Sequence, residues 1–144
     1  MGGEGSSASS GPWPTPGAQD HTLDFGELDG ERTPRVEAIA AAFAKAGFDG
    51  RASNAILQAM WERWVLIATL ASLTTLMRAP VGDIVQAGAE EIGLTLLQDC
   101  SRIAAHNGHP PGAPTLVRTH ATLTAADSGR HSVCDPAMGL ADRF

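Results

Sequence analysis

Apolar positions through the middle of the chain recur at helical spacing, and three helices can be drawn from them. Val36, Ile39, Ala40 and Phe43 fall at i, i+3, i+4 and i+7 and give one apolar face. Thr33 can cap that helix, Pro34 suits its first position, where no N–H is needed, and Gly47 is a natural stop. Short strands are expected on either side, at Leu23–Glu27 and Phe48–Ala52, with Asp29-Gly30 as a turn. Strand, helix and strand over so few residues make a βαβ-sized unit.

A second helix is expected from near Asn54, behind a Ser53 cap, to about Met77. Leu57, Met60, Trp61, Trp64 and Ala68 share one face, and from Val65 onward the helix is apolar almost all round. Such a helix must be covered on most sides. Pro80 ends it, because the residue before a proline is pushed out of the helical region. Val81–Ala87 reads as a short helical turn. Ala89–Asn107 reads as a long helix with Glu90 and Glu91 complementing the dipole of its first turn. Its buried stripe is expected to run through Ile92, Leu96, Ile103 and Ala104, with Cys100 between them. Gly108 and Pro110-Pro111 close it, and a weaker helix follows at Pro114–Ala125. The expected fold is mainly α, preceded by a short βαβ piece.

Composition changes the ends of this picture. The first 21 residues are mostly Gly, Ser, Pro and Thr and have too little apolar surface to offset their ordering entropy. Gly3, Gly5 and Ala8 match a GxGxx(G/A) spacing by accident, since no strand precedes them and no helix follows. The organisation expected is a low-complexity segment at 1–21, a βαβ unit at 22–52, a helical domain at 53–126 and a divergent tail at 127–144.

Charge and cysteines exclude several function classes. The net charge is −6, lysine occurs only at Lys45 and the arginines are scattered, so no basic face for nucleic acid is visible. The uncharged run Trp64–Met77 is too short for a membrane span, which needs about 20 apolar residues. Cys100 and Cys134 form no CxxC and no disulfide framework, and no basic segment followed by an apolar run marks the N-terminus as a secretory signal. A reduced, cytoplasmic setting is expected.

Four segments resemble the ketopantoate reductase (2-dehydropantoate 2-reductase) family, and they do so in order. They are FGELDG at Phe25–Gly30, RVEAIAAAFAKAGF at Arg35–Phe48, MWERWVLIATLASLTTLMRAPVGDI at Met60–Ile84, and IAAHNGHPP ending at Pro111. The resemblance implies a two-domain oxidoreductase that reduces ketopantoate to pantoate for pantothenate synthesis. A Rossmann domain binds NADPH, and a helical C-terminal domain of the 6-phosphogluconate-dehydrogenase-like type supplies a catalytic lysine. In that frame residues 22–52 resemble the last βαβ piece of the cofactor domain, and residues 53 onward the start of the helical domain. A 2-oxo acid is the implied substrate.

Three departures from the family bear on function. The glycine-rich turn that would hold the cofactor pyrophosphate would lie before residue 22 and is not found, so no NADPH is expected to bind these residues alone. The family's Lys, with Asn four and eight positions later, is replaced by Arg63, Ile67 and Ala71. Arginine holds its proton too tightly to donate it. Arg63 can still bind a carboxylate or polarise a carbonyl, but it reads first as a snorkelling side chain at the edge of an apolar helix. Third, residues 128–144 do not resemble the family segment that carries the Ser and Glu contacting substrate, so neither is assigned. A truncated chain, inactive alone, is the expectation.

Other residues read as structural. His106 and His109 with Cys100 do not converge as zinc ligands must, and no metal site is expected. Cys100 reads as a small core residue, Trp61 and Trp64 as core anchors, and Glu62 and Asp83 as solvated surface charges. Two function classes stay open: a ketopantoate-reductase-like enzyme, and a non-catalytic helical module that associates with itself or a relative through the apolar Val65–Leu76 segment.

Overall fold

A computed structural model describes residues 22–47 and 49–130. The expected segment at 1–21, most of the tail, Cys134 and the Gly3–Gly5–Ala8 spacing lie outside them. The order of elements is β1 (Leu23–Phe25), α1 (Pro34–Lys45), β2 (Gly50–Ala52), α2 (Ile56–Met77), α3 (Val81–Gln86), α4 (Glu90–His106) and α5 (Ala113–Leu123). The fold is mainly helical, as the periodicity implies.

The first three elements form the βαβ unit. β1 and β2 are parallel, with Leu23 opposite Gly50 and Phe25 opposite Ala52. Thr33 caps α1 by accepting a hydrogen bond from Val36 N–H at 3.3 Å, and Pro34 begins the helix. Phe43 lies edge-on to Phe25, with ring centroids 5.4 Å apart. Gly50 is what allows this, because a Cβ there would strike the Phe43 ring.

The second layer packs α4 along α2, with α3 and α5 closing its ends. Val65, Leu73, Ile84, Leu97, Cys100, Ala104 and Leu123 make its core. Two expected faces are corrected here. α4 buries Gly93, Leu97, Cys100 and Ala104, while Ile92 and Ile103 stay partly exposed. Gly93 is the cause: a Cβ on it would stand 3.0 Å from a Leu73 methyl, so its missing side chain lets α4 approach α2 closely and turns that face inward. On α2 the fully buried line is Val65, Thr69 and Leu73, whereas Met60 is 57% exposed and Trp64 38%. Trp64 and Met60 therefore do not anchor the core, although Trp61 packs against it.

The helix ends follow local chemistry. α2 starts at Ile56 rather than at Asn54, because Ser53 spends its hydroxyl accepting from Ala55 N–H in a turn. It stops at Arg78, which adopts a left-handed φ of 51° ahead of Ala79-Pro80. No helix among the described residues is long and apolar enough to cross a membrane.

Candidate active site

α2 carries Arg63 two turns from its first residue, on a side turned away from the core. Arg63 is exposed and has no ion-pair partner among the described residues. It stands between two lobes of a cleft. The larger, of about 330 Å³, lies toward α5 and includes Glu62, Thr115, Arg118 and Thr119 in its wall. The smaller, of about 270 Å³, lies toward β1 and includes Leu23, Ile56 and Met60. Asp24 of β1 and Ala59 of α2 border both.

Glu62 builds the α5 wall. Its Oε1 accepts from the backbone N–H of Gly112 at 2.9 Å and from the Gln58 amide at 3.2 Å. Its Oε2 accepts from the Thr115 hydroxyl at 2.7 Å. α5 has no side-chain cap of its own, so a carboxylate from another helix meets the Gly112 N–H at its start. These bonds hold the Glu62 carboxyl below its ordinary range, the Thr115 hydroxyl most, then the Gly112 N–H, with the Arg118 charge adding to them. Glu62 is thus no solvated surface charge: it is the tie that fixes α5 against α2. Gln58 strengthens it by donating to Pro110 O at 2.9 Å.

The structure separates the other residues singled out in the sequence. Ile67, one turn beyond Arg63, is 51% exposed and borders neither lobe. Trp61 and Trp64 meet edge-on at 5.4 Å, and His109 stacks on Trp61 with planes 16° apart. Cys100 is a buried free thiol. No three His, Cys, Asp or Glu side chains are placed to hold a metal ion among the described residues. Sequence reasoning missed Arg118, Thr119, Thr115 and the role of Glu62. The available signal was the four-residue spacing of Thr115 and Thr119, which puts two hydroxyls on one face of α5 where an apolar pair would be expected.

Residues 55–135 match the family model described as ketopantoate reductase PanE/ApbA C terminal. The chain belongs to the ketopantoate reductase family. The matched span takes in α2 to α5 and leaves β1, α1 and β2 outside it. The chain is 29% identical over 106 residues to the uncharacterized oxidoreductase YkpB of Bacillus subtilis (strain 168), a match covering 73% of this chain and 35% of that protein. A crystal structure of 2-dehydropantoate 2-reductase from Methylococcus capsulatus superposes with a TM-score of 0.66 and 26% identity, over 82% of this chain and 38% of that one. The chain therefore spans little more than a third of the length of either relative.

Ketopantoate reductases are implied to use NADPH, and the described residues do not fit its pyrophosphate. Among the described residues, the strand-to-helix turn that could offer glycines is β1 to α1. A Cβ on Gly26 would strike Ser53 O and one on Gly30 would strike Asn54 O, so both glycines serve a close backbone approach rather than a phosphate. The N-terminus of α1 already faces Glu27, which accepts from the Thr33 hydroxyl at 2.7 Å and pairs with Arg35. A second anion there would meet a carboxylate.

Proposed function

We propose that this chain provides the substrate side of a ketopantoate-reductase-like oxidoreductase, with Arg63 as the group that holds the 2-oxo acid. The observation that carries the reading is the state of Arg63: an exposed guanidinium without an ion-pair partner among the described residues, at the wall of a small cleft. A guanidinium matches a carboxylate in two parallel hydrogen bonds and polarises a neighbouring carbonyl. It keeps its own proton, so uptake of a proton by the reduced ketone is not assigned to it. The resemblance of its segment to the family supports reading Arg63 at the position where the family has lysine. Its position on the cleft favours a binding role over that of a snorkelling edge residue. The free, buried Cys100 thiol suits a cytoplasmic setting.

These 144 residues alone are not expected to reduce the substrate, because the described part offers no cradle for the dinucleotide. The test has two parts. Purified chain is assayed for NADPH binding and for ketopantoate-dependent NADPH oxidation; neither is expected, and turnover would overturn this part of the reading. Ketopantoate binding is then followed by NMR titration in the chain and in Arg63→Ala. A loss of about tenfold or more in affinity is expected for a charge-assisted pair; equal affinity would remove Arg63 from the site.

A second reading is favoured by a separate observation. Met60, Trp64 and Ile67 line up on the outer side of α2, and Leu57, Met60, Trp61 and Trp64 border a hollow of about 220 Å³. An apolar stripe of this kind suits a helical module that associates with itself. Sedimentation of the chain and of Trp64→Ser tests it: a concentration-dependent dimer lost in the variant is expected, and a monomer at all concentrations would overturn it.

A further inference from the structure

Arg63 is one of two guanidiniums on the same cleft. Arg118 stands on α5, across the larger lobe from α2, and it too is exposed and without an ion-pair partner among the described residues. Glu62 senses the Arg118 charge, but its oxygens are occupied by Gly112 N–H, the Gln58 amide and the Thr115 hydroxyl. Asp24 borders both lobes and pairs with neither arginine.

Beside Arg118, Thr119 is 1% exposed and its hydroxyl has no hydrogen-bond partner among the described residues. A threonine in a helix ordinarily satisfies its hydroxyl on the carbonyl four residues back. Thr122 does so on Arg118 O, and Thr124, just past the helix end, on His120 O, each at 3.0 Å. Thr119 does not. A buried hydroxyl left unpaired lowers stability, and a turn about χ1 can present it to the cleft, since threonine in helices divides between two rotamers. Thr69, the other buried threonine left unpaired, borders neither lobe.

We propose that the cleft takes a small dianion, a 2-oxo acid bearing a second carboxylate. The first carboxylate sits on Arg63, and the second on Arg118 with the Thr119 hydroxyl donating to it. This rests on the reading of Arg63 as the acid-binding group. The volume of about 330 Å³ is at the lower end for ligand pockets, which suits a short-chain acid and not a dinucleotide.

The test is a titration of the full chain, at low ionic strength, with 2-oxoglutarate and with 2-oxopentanoate, which has the same chain length and no second carboxylate. Wild type is expected to bind 2-oxoglutarate about tenfold more tightly or better. Arg118→Met is expected to bring the two acids to equal affinity, and Arg63→Met to weaken both. Thr119→Val is expected to weaken 2-oxoglutarate about fivefold while its melting temperature holds or rises, a combination that a purely structural threonine would not give. Equal binding of the two acids by wild type, with Arg118→Met and Thr119→Val without effect, overturns the dianion site and leaves the Arg63 reading standing. Binding of neither acid overturns both.

Discussion

The βαβ unit and the helical layer are held together by different forces. In the helical layer Val65, Leu73, Ala104 and Leu123 are all fully buried, and the contact is set by a glycine on α4 receiving a leucine on α2. In the βαβ unit α1 buries only Val36, and much of the rest is polar. Glu27 links the Thr33 cap to Arg35, and Asp49 accepts from both Thr22 and Arg51 at 3.0 Å. A parallel sheet of two strands covered by one helix leaves most of its surface open, whereas parallel sheets are normally covered on both faces. Burial therefore sets the stability of one region, and a thin aromatic contact with surface charges sets that of the other.

Substitutions can break or sharpen that contrast. The largest effect is expected at Leu73→Ala, which opens a cavity where α2 meets α4 and should lower unfolding stability by about 3 kcal/mol in a urea titration. Gly50→Ala should cost less, about 1–3 kcal/mol, because its Cβ must push Phe43 off Phe25. Its damage should stay in the βαβ unit, read as lost amide-exchange protection at β1 and β2 with α4 unchanged. If Gly50→Ala instead unfolds α4 with the unit, the two regions are one cooperative body and the contrast fails.

Glu62 is the polar tie within the helical layer, and its effect should be smaller still. Glu62→Ala leaves Gly112 N–H and Thr115 without their acceptor and should cost about 1–2 kcal/mol. The sign with pH follows from its lowered folded-state pKa. The Glu62 contribution is fully present above the ordinary value of 4.5 and is lost as pH falls through the lower folded value. Wild type should therefore lose more stability on acidification than Glu62→Gln, as thermal melts in a pH series would register. The smallest effect is expected at Arg35→Ala: its guanidinium is exposed, Glu27 keeps the Thr33 hydroxyl as a donor, and any change should be small and fade with added salt.

The sequence made some of this legible and hid the rest for physical reasons. Helical period and punctuation by Pro34, Gly47, Pro80 and Gly108 placed each helix among the described residues to within a few residues, because those signals are local. The buried faces of α2 and α4 were misjudged because the largest apolar side chains suggested the inside, while a close approach was set by Gly93, a residue with no side chain. Arg63 was visible through its place in a family motif. Arg118 and Thr119 were not, since they join Arg63 only after α5 folds back, and the tie that folds it back is a carboxylate 53 residues from Thr115 in sequence.

The length of α2 has one more consequence. Its 22 residues form a rod of about 33 Å, packed along α4 and bearing Arg63 two turns from its first residue. The direction in which the guanidinium points is thus a question of rotational phase, fixed where Leu73 seats against Gly93 ten residues away. A substitution that lets the rod turn by a fraction of a residue at that seat would swing Arg63 out of register with α5 without touching either wall of the cleft.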